Sequence, residues 1–127
     1  MPSRTHLKID PTLCGEITDL RTGAATVRLR TTPAMAADER GLVHGGFVFG
    51  AADYAAMLAV NDPNVVLGSA EVKFTAPVTV GQTVVITAVR FEQKGRKHMV
   101  QVEARVAETV VLNGTMTTFV LDEHVLG

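Results

Sequence analysis

His44-Gly45-Gly46 and, further along the same apolar run, Asp53 are the residues of this sequence whose types and spacing can do chemistry. The run reads HGGFVFGAADYAAMLAVN, and Asp53 is its one carboxylate between His44 and Asn61. A carboxylate withdrawn from water is penalised by several kcal/mol unless it is paired, hydrogen-bonded or protonated. Either a structural partner neutralises Asp53 or the residue has chemical work, and helix composition alone favours neither.

The glycines suggest what that work would be. Gly45 and Gly46 let the backbone enter a helix closely, leaving first-turn N–H groups without intrahelical acceptors. With the positive end of the helix dipole, Gly46 N–H, joined by Gly45 or Phe47, can polarise a thioester carbonyl and stabilise its tetrahedral intermediate. His44 can donate to the same oxygen or hold it in place, or it can merely cap the helix. Asp53 follows Gly46 by seven residues, about 10 Å along a helix axis, and cannot act on a carbonyl held by its own Gly46. In a two-fold dimer with antiparallel helices, Asp53 of one chain faces Gly46 of the other. There it can attack the carbonyl or deprotonate a water, with partial burial raising its basicity.

Positioning these groups requires a particular architecture. Glu16 to Thr32 reads as a hairpin, two short β-branched runs about Arg21-Thr22-Gly23. An irregular segment from Met35 to Val43, with the charged triplet Asp38-Glu39-Arg40, leads into the glycine pair. From Gly46 the apolar residues lie all round the helical wheel until Asn61-Asp62-Pro63 stops the helix. Strands are predicted over Val65 to Phe74, Val84 to Glu92, His98 to Ala107 and Val110 to Leu121, as a meander. Lys94-Gly95-Arg96 supplies one turn, and Asn113-Gly114 a break or bulge. A helix apolar on every face needs a sheet curved about it, which gives an α+β fold of one central helix and a curved antiparallel sheet. So little helix leaves the outer sheet face for a second subunit.

Composition narrows the function. The 127 residues, 46% hydrophobic, suit a single domain over 1–127 with a real core. Twelve Lys and Arg against thirteen Asp and Glu give no global field toward nucleic acid or anionic membrane. An aromatic content of 5% without Trp offers no stacking platform for bases. The longest apolar run, Phe47 to Val60, falls short of the roughly 20 residues that cross a bilayer. Cys14 has no partner for a disulfide, and MPSRTHLKID lacks the apolar core of a signal peptide. The expected compartment is the cytoplasm. No Cys/His spacing suggests a metal.

The phrase GLVHGGFVFGAADYAA, followed by EVKFTAPVTVGQTV, resembles the hot-dog-fold acyl-CoA thioesterases of the PaaI-like group, whose signature is HGG at a helix start and an acidic residue nine positions after the histidine. Asp53 stands nine after His44, and the similarity spans most of the chain beyond about residue 16. The resemblance implies a hot-dog fold, a homodimer often paired into a homotetramer, and no cofactor beyond the coenzyme A of the acyl-CoA substrate. It implies Asp53 as nucleophile or general base, Gly46 N–H as oxyanion donor and His44 as a positioning group. Gly45 and Phe47 would line the substrate. Arg96 and Lys97, otherwise an ordinary soluble turn, would lie near the phosphates of CoA. The sequence departs from the pattern at Asp38, where many relatives carry Asn.

Two other readings use the same fold. A hot-dog hydratase needs a histidine closely following the acid, but the next after Asp53 is His98. An acyl-CoA-binding protein would use the pocket without turnover. Sensors of this fold usually add a DNA-binding segment, for which 127 residues leave no room, so that reading expects a stand-alone binding protein. Pocket depth is expected to depend on Phe47, Phe49, Tyr54 and Met57.

Overall fold

The computed structural model describes residues 1–127. A short helix α1 (Pro11–Cys14) precedes the hairpin of β1 (Glu16–Arg21) and β2 (Ala24–Arg30); then come the long helix α2 (Gly45–Val60) and strands β3 (Val65–Phe74), β4 (Thr83–Lys94), β5 (Lys97–Val106) and β6 (Thr109–Val120). The six strands form one antiparallel sheet in the order β1-β2-β4-β5-β6-β3, packed on α2. The α+β architecture read from the apolar helix, one central helix against an antiparallel sheet, is the one observed, and it is the hot-dog fold that the resemblance implies. No helix is long and apolar enough to cross a membrane.

Alternation determines the inner face of the sheet. Ala25, Val27 and Leu29 of β2, Val84, Ile86 and Ala88 of β4, and Val100, Val102 and Ala104 of β5 are buried, while Val85, Thr87 and Val89 point outward. They meet a helix face rich in Ala51, Ala52, Ala55, Ala56 and Ala59, all buried. Small side chains there let the helix axis sit close to the sheet, and each large aliphatic residue sealed between them contributes on the order of 1.5–3 kcal/mol. α2 ends as expected: Asn61 takes the left-handed conformation (φ 54°) and donates its N–H to the Met57 carbonyl (2.8 Å).

The structure corrects two expectations. The predicted four-strand meander is one of three, β4-β5-β6, with β3 paired to β6 at the far edge. Alternation marks the inward side chains but says nothing of which strand is the neighbour; packing around the helix decides that. Nor does Asn113-Gly114 interrupt anything. β6 runs unbroken through Gly114, which pairs with Val72 of β3 and Val102 of β5. A Cβ on Gly114 would stand 2.1 Å from the Glu71 carbonyl oxygen and 2.6 Å from the Val72 Cα. The glycine marks a close approach of two backbones, the other common meaning of glycine within a strand.

The β3–β4 connection bears directly on the site. Val43 donates to the Val78 carbonyl (2.8 Å), Val80 to the Gly41 carbonyl (2.8 Å) and His44 N–H to the Met35 carbonyl (2.9 Å). These bonds fix the approach to α2 from both sides, so the helix head is held by backbone.

Candidate active site at the central helix

His44 is the N-cap of α2, with extended backbone and no side-chain capping bond. Its carbonyl accepts from Phe47 N–H (3.1 Å), whereas the N–H groups of Gly45 and Gly46 find no acceptor in the chain. These two donors, at the positive end of a sixteen-residue helix, can take an oxyanion without breaking any existing bond. The imidazole folds back over Gly46: a Cβ there would meet His44 Nε2 at 2.9 Å. It also stands edge-on to the Phe47 ring, with centroids 6.1 Å apart. Glycine at 46 is therefore what lets His44 lie along the helix head.

A test of this arrangement follows. The atom in the way belongs to an exposed side chain, so Gly46→Ala should leave the melting temperature nearly unchanged while turning the imidazole aside. If His44 positions the reacting group, turnover should fall about 10-fold or more, with circular dichroism unaltered.

Gly45 faces the other way. The Phe74 ring at the end of β3 lies against it, 3.2 Å from where its Cβ would be. Together they enter the wall of a cavity of about 460 Å³ beside the helix head, completed by Val43, Val48, Val78 and Val111 among others. No charged side chain lines it, so it suits an apolar group next to the free amides. Phe74 is 57% exposed; sequence reasoning missed it, although an aromatic placed just before Thr75-Ala76-Pro77 was a visible signal. Tyr54 and Met57, expected to set pocket depth, are buried in the core instead (7% and 1% exposed). The Tyr54 ring stands 6.1 Å from the ring of His6 in the N-terminal segment.

Asp53 lies on the incompletely covered side of α2 with Gly46, Phe49 and Gly50. A Cβ on Gly50 would touch nothing within 4 Å, so bare backbone borders open space one turn before the acid. Asp53 Oδ1 is buried with no hydrogen-bond partner, and burial pushes its carboxyl pKa upward. Its proximity also contributes, behind burial and Asp10, to raising the pKa of the Cys14 thiol. A desolvated carboxylate lacking its usual acceptor bonds is a stronger base than one in water, at a cost in stability.

Asp38 has a local task. Its Oδ1 accepts from the N–H groups of Arg40 (3.0 Å) and Leu42 (3.1 Å), closing the loop that delivers His44. These acceptor bonds are ones an aspartate makes as well as an asparagine.

Arg96 and Lys97 are not brought to this site within one chain. Their turn lies at the opposite end of α2, since Lys97 pairs with Phe119 and Val65 with Val120. Arg96 there is engaged by Asp122. No group of three or more His, Cys, Asp or Glu side chains is arranged to hold a metal.

Residues 54–124 match the family model described as fluoroacetyl-CoA-specific thioesterase, FlK. The match begins one residue past Asp53, so it covers the end of α2 and β3 to β6 but not the helix head. Among solved structures, an uncharacterized protein of Pyrococcus horikoshii superposes with a TM-score of 0.99 at 50% identity, covering 100% of this chain and 98% of that one. An asparagine-to-aspartate variant of the phenylacetic acid degradation protein PaaI from Thermus thermophilus gives 0.78 at 29%, covering 86% and 95%. A methylthioribose-1-phosphate isomerase of Aquifex aeolicus is 50% identical over 96% of this chain, but the chain spans only 27% of its length. The next curated relatives are spanned over 56% of theirs.

Proposed function

As a member of the fluoroacetyl-CoA-specific thioesterase (FlK) family of hot-dog proteins, this chain, we propose, hydrolyses an acyl-CoA thioester to the free acid and CoA. The observation that carries the reading is the half-buried Asp53, whose Oδ1 is closed off from solvent with no hydrogen-bond partner, on a helix whose Gly45 and Gly46 amides are free. In this mechanism the thioester carbonyl rests on Gly46 N–H of one protomer, with His44 beside it and the acyl group in the apolar cavity walled by Phe74. Asp53 of a second protomer either attacks the carbonyl or takes a proton from the attacking water. The C–S bond then breaks and the carbonyl reforms. In the water route Asp53 returns the proton to the departing CoA thiolate and the free acid is released; in the nucleophilic route the thiolate takes a proton from solvent and a water hydrolyses the mixed anhydride left on Asp53.

The second protomer is required by distance, because Gly46 and Asp53 of one helix are about 10 Å apart along its axis. The ten-residue edge strand β3, exposed over Gly68 to Glu71, gives that protomer an unpaired ladder to join. A sedimentation mass of one chain at micromolar concentration would remove the shared site.

The experiment is an acyl-CoA panel scored by thiol release, beside calorimetry with the same thioesters. Hydrolysis of at least one thioester is expected. Binding without release of thiol on any acyl group would instead identify a non-catalytic acyl-CoA-binding protein.

A further inference from the structure

Phe74 is the last residue of β3, where it pairs with Leu112 of β6. The next residue secures that strand end: Thr75 donates its N–H to the Val111 carbonyl (2.9 Å) and its hydroxyl to the Val110 carbonyl (2.7 Å). The Phe74 backbone is therefore fixed beside the helix head. Its ring rests on the first turn of α2, with Cε1 3.2 Å and Cδ1 3.6 Å from where a Gly45 Cβ would stand. The rest of the cavity wall is held differently. Val43, Val48, Val78 and Val111 are each at most 5% exposed and packed into the core, and a backbone bond joins Val43 to Val78 (2.8 Å). Phe74 is the one large wall residue that the core of the chain does not enclose.

The chemistry of the wall specifies its occupant. No lining side chain is charged, and the sole hydroxyl, that of Thr75, is already donated to Val110. A carboxylate, hydroxyl or amide on the acyl group would lose water here without gaining a side-chain donor. Alkyl carbon gains instead, by about 4-fold for each methylene buried. The volume of about 460 Å³ is on the order of fifteen times that of one water in the liquid, whereas fluoroacetyl, the group for which the family model is named, carries only CH₂F beyond its carbonyl. A two-carbon acyl group would leave most of this wall wet. Because the Phe74 ring lies on the turn that offers the free amides, the first carbons of the acyl group must pass it.

We infer that the acyl group is an uncharged, straight alkyl chain longer than two carbons, and that Phe74, seated against Gly45, selects it by excluding branches beside the thioester. This rests on the helix head being the thioester site. A ring that gripped the CoA arm would instead act on every thioester alike, so selectivity separates the two roles. Thiol release is compared for acetyl-, fluoroacetyl-, butyryl-, isobutyryl- and hexanoyl-CoA on wild type, Phe74→Ala and Phe74→Trp, with circular dichroism to check the fold. In the wild type kcat/KM should rise at least about 10-fold from acetyl to hexanoyl, and butyryl should exceed isobutyryl about 10-fold. Phe74→Ala should narrow that butyryl–isobutyryl gap about 5-fold or more, and Phe74→Trp should widen it. Fluoroacetyl as the best substrate overturns the inference, as does Phe74→Ala with wild-type selectivity and a uniformly raised KM. Should Phe74→Ala not fold, Phe74→Trp decides: an unchanged gap overturns the role of the ring. Should no thioester be hydrolysed, the hydrolytic proposal fails, and the same comparison is made on dissociation constants by calorimetry. The same ordering there supports the inference; equal affinities, or no binding, overturn it.

Discussion

Asp53→Asn should lower kcat on any thioester that the wild type hydrolyses by about 100-fold or more, the cost of removing a general base or nucleophile from a reacting centre. The substitution is nearly isosteric and leaves the helix and its Ala-rich face untouched, so the loss would be chemical. Turnover surviving within a few-fold would take Asp53 out of the chemistry. The same variant should behave oppositely in stability. Burial raises the Asp53 pKa above its ordinary value, so between the unfolded and folded pKa values the native state binds more protons than the unfolded one. Stability at this residue therefore falls as pH rises through that window, and the penalty is fully present above the folded pKa. At neutral pH Asp53→Asn should melt higher than wild type, and below the ordinary carboxylate range, where both states are protonated, the advantage should vanish. Activity lost while stability is gained is the signature of a residue kept for function; activity and melting temperature falling together would mark it as structural.

The largest effect on folding is expected at Gly114. Its neighbours are backbone atoms of β3, with the Glu71 oxygen 2.1 Å from an added Cβ, and backbone cannot turn aside as a side chain can. Gly114→Ala should cost about 3 kcal/mol, read as a lower denaturation midpoint with the m-value retained. Because β3 is held to the sheet only through β6, its amides should lose hydrogen-exchange protection first. A midpoint within experimental error of the wild type would mean that the two strands are not pressed together. The contrast with Gly46→Ala, where only an exposed imidazole stands in the way, separates a glycine required by the fold from one proposed to serve the site.

The sequence by itself determined the elements and which residue types on them could do chemistry. Val100, Val102, Ala104 and Val106 alternating with Gln101, Glu103 and Arg105 read directly as a half-buried strand, and that period survives folding because it is local. The all-round apolar run from Gly46 to Val60 announced a helix in the grip of a sheet, and a lone acid within it announced its own cost. Other features were decided only by tertiary structure. Whether β3 lies beside β4 or beyond β6, why Gly114 must be bare, that Phe74 rather than Tyr54 or Met57 walls the cavity, and that the Arg96 turn lies at the far end of the helix from Gly46 all depend on residues distant in the chain. The physical reason is that side-chain periodicity records which face of an element is dry. The identity of what covers that face is a property of the packed sheet and helix, and no residue encodes it alone.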